Sequence, residues 1–287
     1  MPRIKGLGIH RFQPLHFSST YAIIKTDINL TKQFIGRFPV ANMPKIIQPS
    51  KQRERKSYMT VDVDMKALLE AGAHFGHKTS RWHPKMAPYI HSKRQGAHII
   101  NLEKTVDGLE KALPKLTEIT KNGKKILFVG TKKQMKDTVK EAAEAVEMPY
   151  VTVRWVGGTL TNVETVNRQI KKLKDLERRM ASGELENRYS KLEVQRFQEE
   201  IDLLNERYGG IKDMTEQPAA VIVVDAIEDK NAIKEANVLK IPVFAITDSN
   251  VDPSNIDYVI PANDDSIKAT KLILSYLEDA IKEGKNN

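Results

Sequence analysis

Apolar positions along this chain follow two rhythms, separated by a stretch with none. Short apolar runs at Lys125–Gly130, Tyr150–Trp155, Ala219–Asp225, Ile241–Ile246 and Tyr258–Ile260 have the length of strands. Amphipathic segments lie between them, at Lys132–Glu147, Asp229–Lys240 and Ser266–Lys282. Upstream, Ala97–Asn101 reads as a further buried strand. Leu102–Ile119 reads as the helix returning across the sheet, with Leu109, Leu113, Leu116 and Ile119 near helical spacing. Strands joined by helices run parallel, with right-handed crossovers, so the class is α/β.

The second rhythm interrupts the first. Val163, Val166, Ile170, Leu173, Leu176 and Met180 recur at threes and fours, as do Val194, Phe197, Ile201, Leu204 and Tyr208. The spacing predicts an antiparallel coiled-coil hairpin, each arm about 25–30 Å long and standing out from the sheet. Its first arm carries Arg168, Lys171, Lys172, Lys174, Arg178 and Arg179 on the polar side. The sheet pattern resumes beyond Gly209-Gly210, so the hairpin, 163–210, is an insertion in one α/β domain of residues 59–162 and 211–287. Between sheet and hairpin lies Arg154-Trp-Val-Gly-Gly-Thr-Leu-Thr-Asn162, a strand running through two glycines into a helix that Thr161 or Asn162 can cap.

Residues 74–94 have neither rhythm. His74-Phe-Gly-His-Lys78 leads into Arg81-Trp-His-Pro-Lys-Met86, Pro88-Tyr-Ile90 and Lys93-Arg94, a mixture of cations, rings and turn formers that reads as loop. Cations neutralise phosphate, and Trp82, His83 and Tyr89 offer flat faces to unpaired bases, so the chemistry suits RNA. A metal site from His74, His77 and His83 competes with this reading, but it lacks thiols and the HExxH spacing. Just before them, Met65–Ala71 is a short helix with Asp64 as cap and Gly72 as stop.

Charge sharpens the picture. The net charge is +9, and residues 1–58 hold 11 Lys or Arg against 2 Asp or Glu. From residue 59 onward the balance is 35 against 35, yet 59–180 has 23 basic and 14 acidic residues. A basic first half on a neutral body suggests a face turned to a polyanion. The first 58 residues, broken by five prolines, read as a disordered basic extension: an arm, a transit peptide, or residues ahead of a true start at Met59. No cysteine is present, which removes disulfides and thiolate metal sites, and no apolar run is long enough for a bilayer.

Enzyme chemistry finds little support. Gly130-Thr-Lys-Lys133 sits where an α/β sheet presents ligands, but it matches neither GxGxxG nor GxxxxGK[ST]. Asp225, Asp248 and Asp252 at strand ends suit Mg²⁺ as ligands or turns as caps. An α/β nucleotide- or metal-dependent enzyme built on the Gly130 turn is the alternative function.

Six blocks carry a resemblance. They are His74-Phe-Gly-His77 with Trp82 and Pro84-Lys-Met86; His98-Ile-Ile-Asn-Leu-Glu-Lys-Thr105; Lys125-Ile-Leu-Phe-Val-Gly-Thr131; Arg154–Asn162; Gly210-Ile-Lys-Asp-Met214; and Ile233-Lys-Glu-Ala236 with Ile241–Ile246. In this order the chain from about Met59 to Lys282 resembles the bacterial small-subunit ribosomal protein S-two family. The resemblance implies a flavodoxin-like (Rossmann-like) parallel sheet with an inserted coiled-coil hairpin, and no catalysis or cofactor. It also implies a cytoplasmic, ribosomal place between head and body of the small subunit. The implied partners are 16S-type ribosomal RNA and neighbouring ribosomal proteins, including the OB-repeat protein S-one that it helps recruit, with no membrane and no small-molecule substrate. Mapped onto these blocks and onto the basic arm, the RNA-binding candidates are Arg81, Trp82, Lys85, Lys93, Arg94, Lys132, Lys133, Arg154, Lys171 and Lys172. Ser249 stands where relatives often have Thr, a departure expected to matter little, and the 58-residue extension has no counterpart in the pattern.

Overall fold

The computed structural model describes residues 63–286, so the extension and the boundary at residue 59 lie outside the described residues. Five parallel strands form the main sheet: β4 (Ile126–Val129), β5 (Tyr150–Val151), β6 (Ala220–Val223), β7 (Val243–Thr247) and β8 (Tyr258–Pro261). Their spatial order is β5-β4-β6-β7-β8. Numbered within this sheet alone, that is 2-1-3-4-5, the flavodoxin order, with its switch point between β4 and β6.

Successive residues of each strand point to opposite faces, and both faces are covered. Ile126, Phe128, Ile222, Phe244 and Ile246 pack with α2 (Leu102–Lys121), α3 (Lys136–Ala145) and α8 (Ile267–Asn286). Leu127, Val129, Val221, Val223 and Val243 pack on the other side with α4 (Val163–Ala181), α6 (Lys191–Tyr208) and α7 (Lys230–Val238). Three layers result, which is why the strands read as continuous apolar runs rather than alternating ones.

The expected strand at Ala97–Asn101 exists but belongs elsewhere. β3 (Ala97–Ile100) is the centre of a separate antiparallel sheet, ordered β1-β3-β2, between β1 (Phe75–Lys78) and β2 (Ile90–Arg94). The aperiodic 74–94 stretch is therefore largely two edge strands joined by 3₁₀ turns. Short, irregular edge strands carry too few residues to show a period. α1 (Met65–Glu70) starts as expected, with the Asp64 carboxylate accepting from the Lys66 amide at 2.8 Å, and Gly72 follows its end at φ +80°.

α4 and α6 are joined through the short α5 (Glu184–Arg188), and their seams bury Val166, Ile170, Leu173, Leu176, Ile201, Leu204 and Tyr208. These residues share one hydrophobic cluster with Leu127, Val129 and Val151 of the sheet. At the insertion's end a Cβ on Gly210 would collide with the Tyr150 carbonyl oxygen, so this close approach to β5 requires glycine.

Candidate nucleic-acid interface

The Arg154–Asn162 stretch is held from outside itself. Glu235 on α7 accepts from the Trp155 indole at 3.0 Å, from the amides of Gly158, Leu160 and Thr161 at 2.8, 3.0 and 3.2 Å, and from the Thr161 hydroxyl at 3.1 Å. Burial pushes the Glu235 carboxyl up, but these donors hold it below the usual range. Gly158 sits at φ +91°, a conformation costly for any residue with a Cβ. Replacement by Val is expected to cost about 1–2 kcal/mol, read as a lowered urea midpoint. The expected side-chain cap is not made: Asn162 precedes α4 without one, and the Thr161 hydroxyl is engaged by Glu235. As β5 is only two residues long, Arg154 lies in a loop, exposed.

At the carboxyl ends of β4, β6, β7 and β8 the chain builds a buried polar cluster. The Lys132 ammonium lies 3.1 Å from Asp225, 2.9 Å from Asp264 and 2.7 Å from Asp265, with 17% of its side chain exposed. Burial works against its charge, yet the carboxylates raise its pKa. His77 adds a second cation, with Nδ1 2.9 Å from Asp248 and Nε2 3.6 Å from Asp265; its hydrogen bond to Asp248 raises its pKa. Ser249 is not incidental: its hydroxyl accepts from the His77 amide at 2.9 Å and donates to Asp248, a role that Thr would also fill.

The cluster occupies the crevice where an enzyme of this topology would hold its ligand. Lys132 therefore does not present a free cation to phosphate, which corrects its place among the RNA candidates. His77, Asp264 and Asp265 bring donor atoms within 4.8 Å of one another, close enough for a metal ion, but Lys132 already sits on both carboxylates. The competing histidine triad does not assemble among the described residues. His74 lies against Phe75, ring centres 4.0 Å apart and tilted by 39°, and His83 lies 3.9 Å from Asp252. Asp252 is also apart from Asp225 and Asp248 in role: it binds Lys85 at 3.0 Å and caps the Ser254 amide. Asp225 in turn caps the amides of Ile227 and Glu228.

Burial pushes Asp264 up to about 7 and Asp229 up to about 6, with Asp225 adding repulsion to both. An acid with a raised folded pKa holds its proton more tightly folded than unfolded. Its contribution to stability is then full near its ordinary value and declines as pH rises to the raised one. His77, with a raised pKa, also loses its contribution as pH rises through that value. Stability is expected to fall by about 1–2 kcal/mol between pH 5.5 and pH 8, and Asp264→Asn to flatten the slope; urea midpoints at several pH values check this.

The small sheet brings several predicted residues together. Lys78 and Arg94 both pair with Ala97, from opposite sides, so the two cations lie on one face about 10 Å apart. Arg81 follows in the turn after β1, exposed, and lines with Lys78 and Phe75 a cleft of about 370 Å³. Lys93 pairs with His98 and points to the opposite face, its ammonium 5.6 Å from the Trp82 ring centre. Trp82 also packs against buried His98 at 5.1 Å, so its ring is engaged within the protein rather than held out for a base. Lys85 is tied to Asp252 and Ser254.

Elsewhere, Lys133 and Arg154 follow the neighbouring strands β4 and β5, both exposed. On α4 much of the basic face is neutralised internally: Lys172 by Glu200, Lys174 by Asp213, Arg178 by Asp175 and Arg179 by Glu184. Of the predicted cations, Arg81, Lys93, Arg94, Lys133, Arg154 and Lys171 are exposed with no carboxylate partner among the described residues, and Lys78 joins them. Lys78 belongs to the cation-rich block that the sequence singles out, but it is not among the named RNA-binding candidates.

Comparison with known proteins agrees with this architecture. The family profile described as "Ribosomal protein S2" matches residues 68–284. The chain is 48% identical over 222 residues to "Small ribosomal subunit protein uS2" of Fusobacterium nucleatum subsp. nucleatum, an alignment covering 77% of this chain and 90% of the relative. Proteins of the same name from Roseiflexus sp. and Roseiflexus castenholzii are 49% and 48% identical over 224 residues, 78% of this chain and 85% of each relative. With the flavodoxin-ordered sheet, the helical insertion and the Glu235-bound glycine loop all inside the matched span, the chain belongs to the ribosomal protein S2 family.

Proposed function

We propose that this chain is a structural constituent of the small ribosomal subunit. It grips ribosomal RNA with two sets of cations, Lys78, Arg81 and Arg94 at the end of the small sheet and Lys133 and Arg154 at the carboxyl edge of the large one. The observation that carries the reading is that these cations stay exposed and unpaired, while Lys85, Lys132 and Lys172 are consumed by internal carboxylates. A free cation releases condensed counterions when it meets phosphate, whereas one already paired gains little. Lys171 extends this surface along α4, and the α4–α6 pair serves as an antiparallel brace for neighbouring elements. The cytoplasmic ribosome, a seat between head and body, and help in recruiting S-one follow from the family resemblance.

The triple variant Arg81→Glu, Arg94→Glu, Lys133→Glu is expected to reduce incorporation into small subunits at least tenfold, with an unchanged thermal midpoint, since all three side chains are exposed. RNA affinity of the wild type should fall linearly with the logarithm of salt concentration, and the variant's slope should be shallower by about 2–3. Full incorporation of the variant would exclude this surface. Loss of the S-one protein from particles lacking this chain tests recruitment separately.

A further inference from the structure

The small sheet leaves one face open. His98 and Ile100 of β3 are buried, and Ala97 and Ile99 between them point to the other side. Cross-strand partners share a face, so Lys78 and Arg94, opposite Ala97, and Phe75 and Ser92, opposite Ile99, stand on that open side. Phe75 and Lys78 are three residues apart while their partners are two apart, so β1 carries one extra residue there, and this irregularity turns ring and ammonium to the same side. Phe75 is 54% exposed although the His74 ring lies 4.0 Å from it. A phosphate grip does not account for an open ring among cations.

We infer that this face and the cleft beside it take one unstacked guanine nucleotide of the RNA, its base on Phe75 and its flanking phosphates on Lys78 and Arg81. The inference rests on the RNA grip proposed above and adds a base to it. An exposed ring on an open antiparallel sheet, bordered by unpaired cations, is a surface on which single-stranded bases stack. The cleft that Phe75, Lys78 and Arg81 line, about 370 Å³, is at the small end of the range for ligand sites, which suits a single nucleotide. Trp82 is spent on the opposite side, between buried His98 and the Lys93 ammonium, so Phe75 is the ring that the small sheet leaves for a base.

The wall of the cleft selects the base. Asp265 lines it with its side chain 54% exposed. One of its carboxylate oxygens is held by Lys132 at 2.7 Å; the other lies 3.6 Å from His77 Nε2, beyond hydrogen-bond reach. That second oxygen, with two lone pairs, is open to donors from the cleft. Guanine is the base whose Watson–Crick edge sets two donors side by side, the N1–H and the N2 amine. Uracil places its one donor between two acceptors, and adenine and cytosine set an acceptor beside their amine, so each of them turns a lone pair toward the carboxylate. Asn263 fixes the loop that carries Asp265, accepting from the Asp265 amide at 2.9 Å and donating to the Gly72 carbonyl at 3.3 Å.

Titration of the full-length chain with fluorescently labelled ribohexamers tests the inference. UUGUUU is expected to bind at least about fivefold tighter than UUUUUU, UUAUUU and UUCUUU. Phe75→Ala should weaken UUGUUU at least about fivefold with an unchanged salt slope, because a stacking face is lost and no cation is, while Phe75→Trp should keep the affinity. Asp265→Asn should bring UUGUUU down to the level of the other three. Phe75 is exposed, so thermal midpoints of its variants should match the wild type. UUGUUU binding that Phe75→Ala leaves intact, or equal binding of all four hexamers, overturns the inference and leaves the phosphate grip standing. Failure of every hexamer to bind overturns it too, and incorporation of the triple charge variant then decides the grip separately. Guanosine monophosphate that displaces UUGUUU at equal concentration assigns the cleft to a free nucleotide. In assembled small subunits, a crosslink from residues 75–81 to another protein instead of to RNA assigns the face to that protein, and either result overturns the base site.

Discussion

Lys132→Ala is expected to cost about 3–5 kcal/mol of stability, the largest effect of any single substitution considered for this chain. The ammonium is the counter-charge for Asp225 and Asp264, which are 4% and 1% exposed, and for Asp265 at the rim. Removing it leaves like charges facing one another in a poorly solvated pocket, with only His77 to answer them. Asp264 should respond by holding its proton to higher pH, so the destabilisation should be milder at pH 5.5 than at pH 8. Urea unfolding at both pH values reads the effect. A loss below about 1 kcal/mol at pH 8 would mean that solvent or a bound cation neutralises the cluster instead. Lys132→Met keeps most of the stem's packing, so its loss separates charge from volume.

Glu235→Ala is the second. The carboxylate satisfies the Trp155 indole, three backbone amides and the Thr161 hydroxyl, which makes it the fastener between α7 and the loop that launches α4. Charge-assisted hydrogen bonds of this kind are individually strong, but the loop is partly open to water, which re-satisfies some donors. A loss of about 2–3 kcal/mol is expected, with faster amide exchange at Gly158, Leu160 and Thr161. Glu235→Gln keeps the shape and one acceptor oxygen and should recover about half of the loss. Equal losses in both variants would show that charge, rather than geometry, holds the loop.

The family is a structural one and not an enzyme family, and the fold shows how a ligand-binding topology is put to that use. At the switch point between β4 and β6, where related topologies admit a nucleotide, Lys132 binds Asp225, Asp264 and Asp265. The polar groups of the crevice are turned inward as a lock between strand ends. The candidate residues of an enzyme built on the Gly130 turn are engaged within the protein: Thr131 donates to Asp229, and Lys132 to the aspartates.

Local pattern in the sequence was sufficient for the parallel sheet, its intervening helices and the helical insertion. Strand runs such as Ile126–Val129 and seams such as Val166, Ile170, Leu173 record burial residue by residue. The same logic failed at 74–94, where β1 and β2 are short edge strands whose identity depends on pairing with β3, a partner that no local rhythm reveals. It also could not tell free cations from spent ones. Lys132 and Lys133 are adjacent and alike in sequence, yet one is enclosed by carboxylates from the loops after β6 and β8, while the other faces water. Which charge remains available to a partner depends on what residues a hundred positions away bring to it, and only tertiary structure sets those distances.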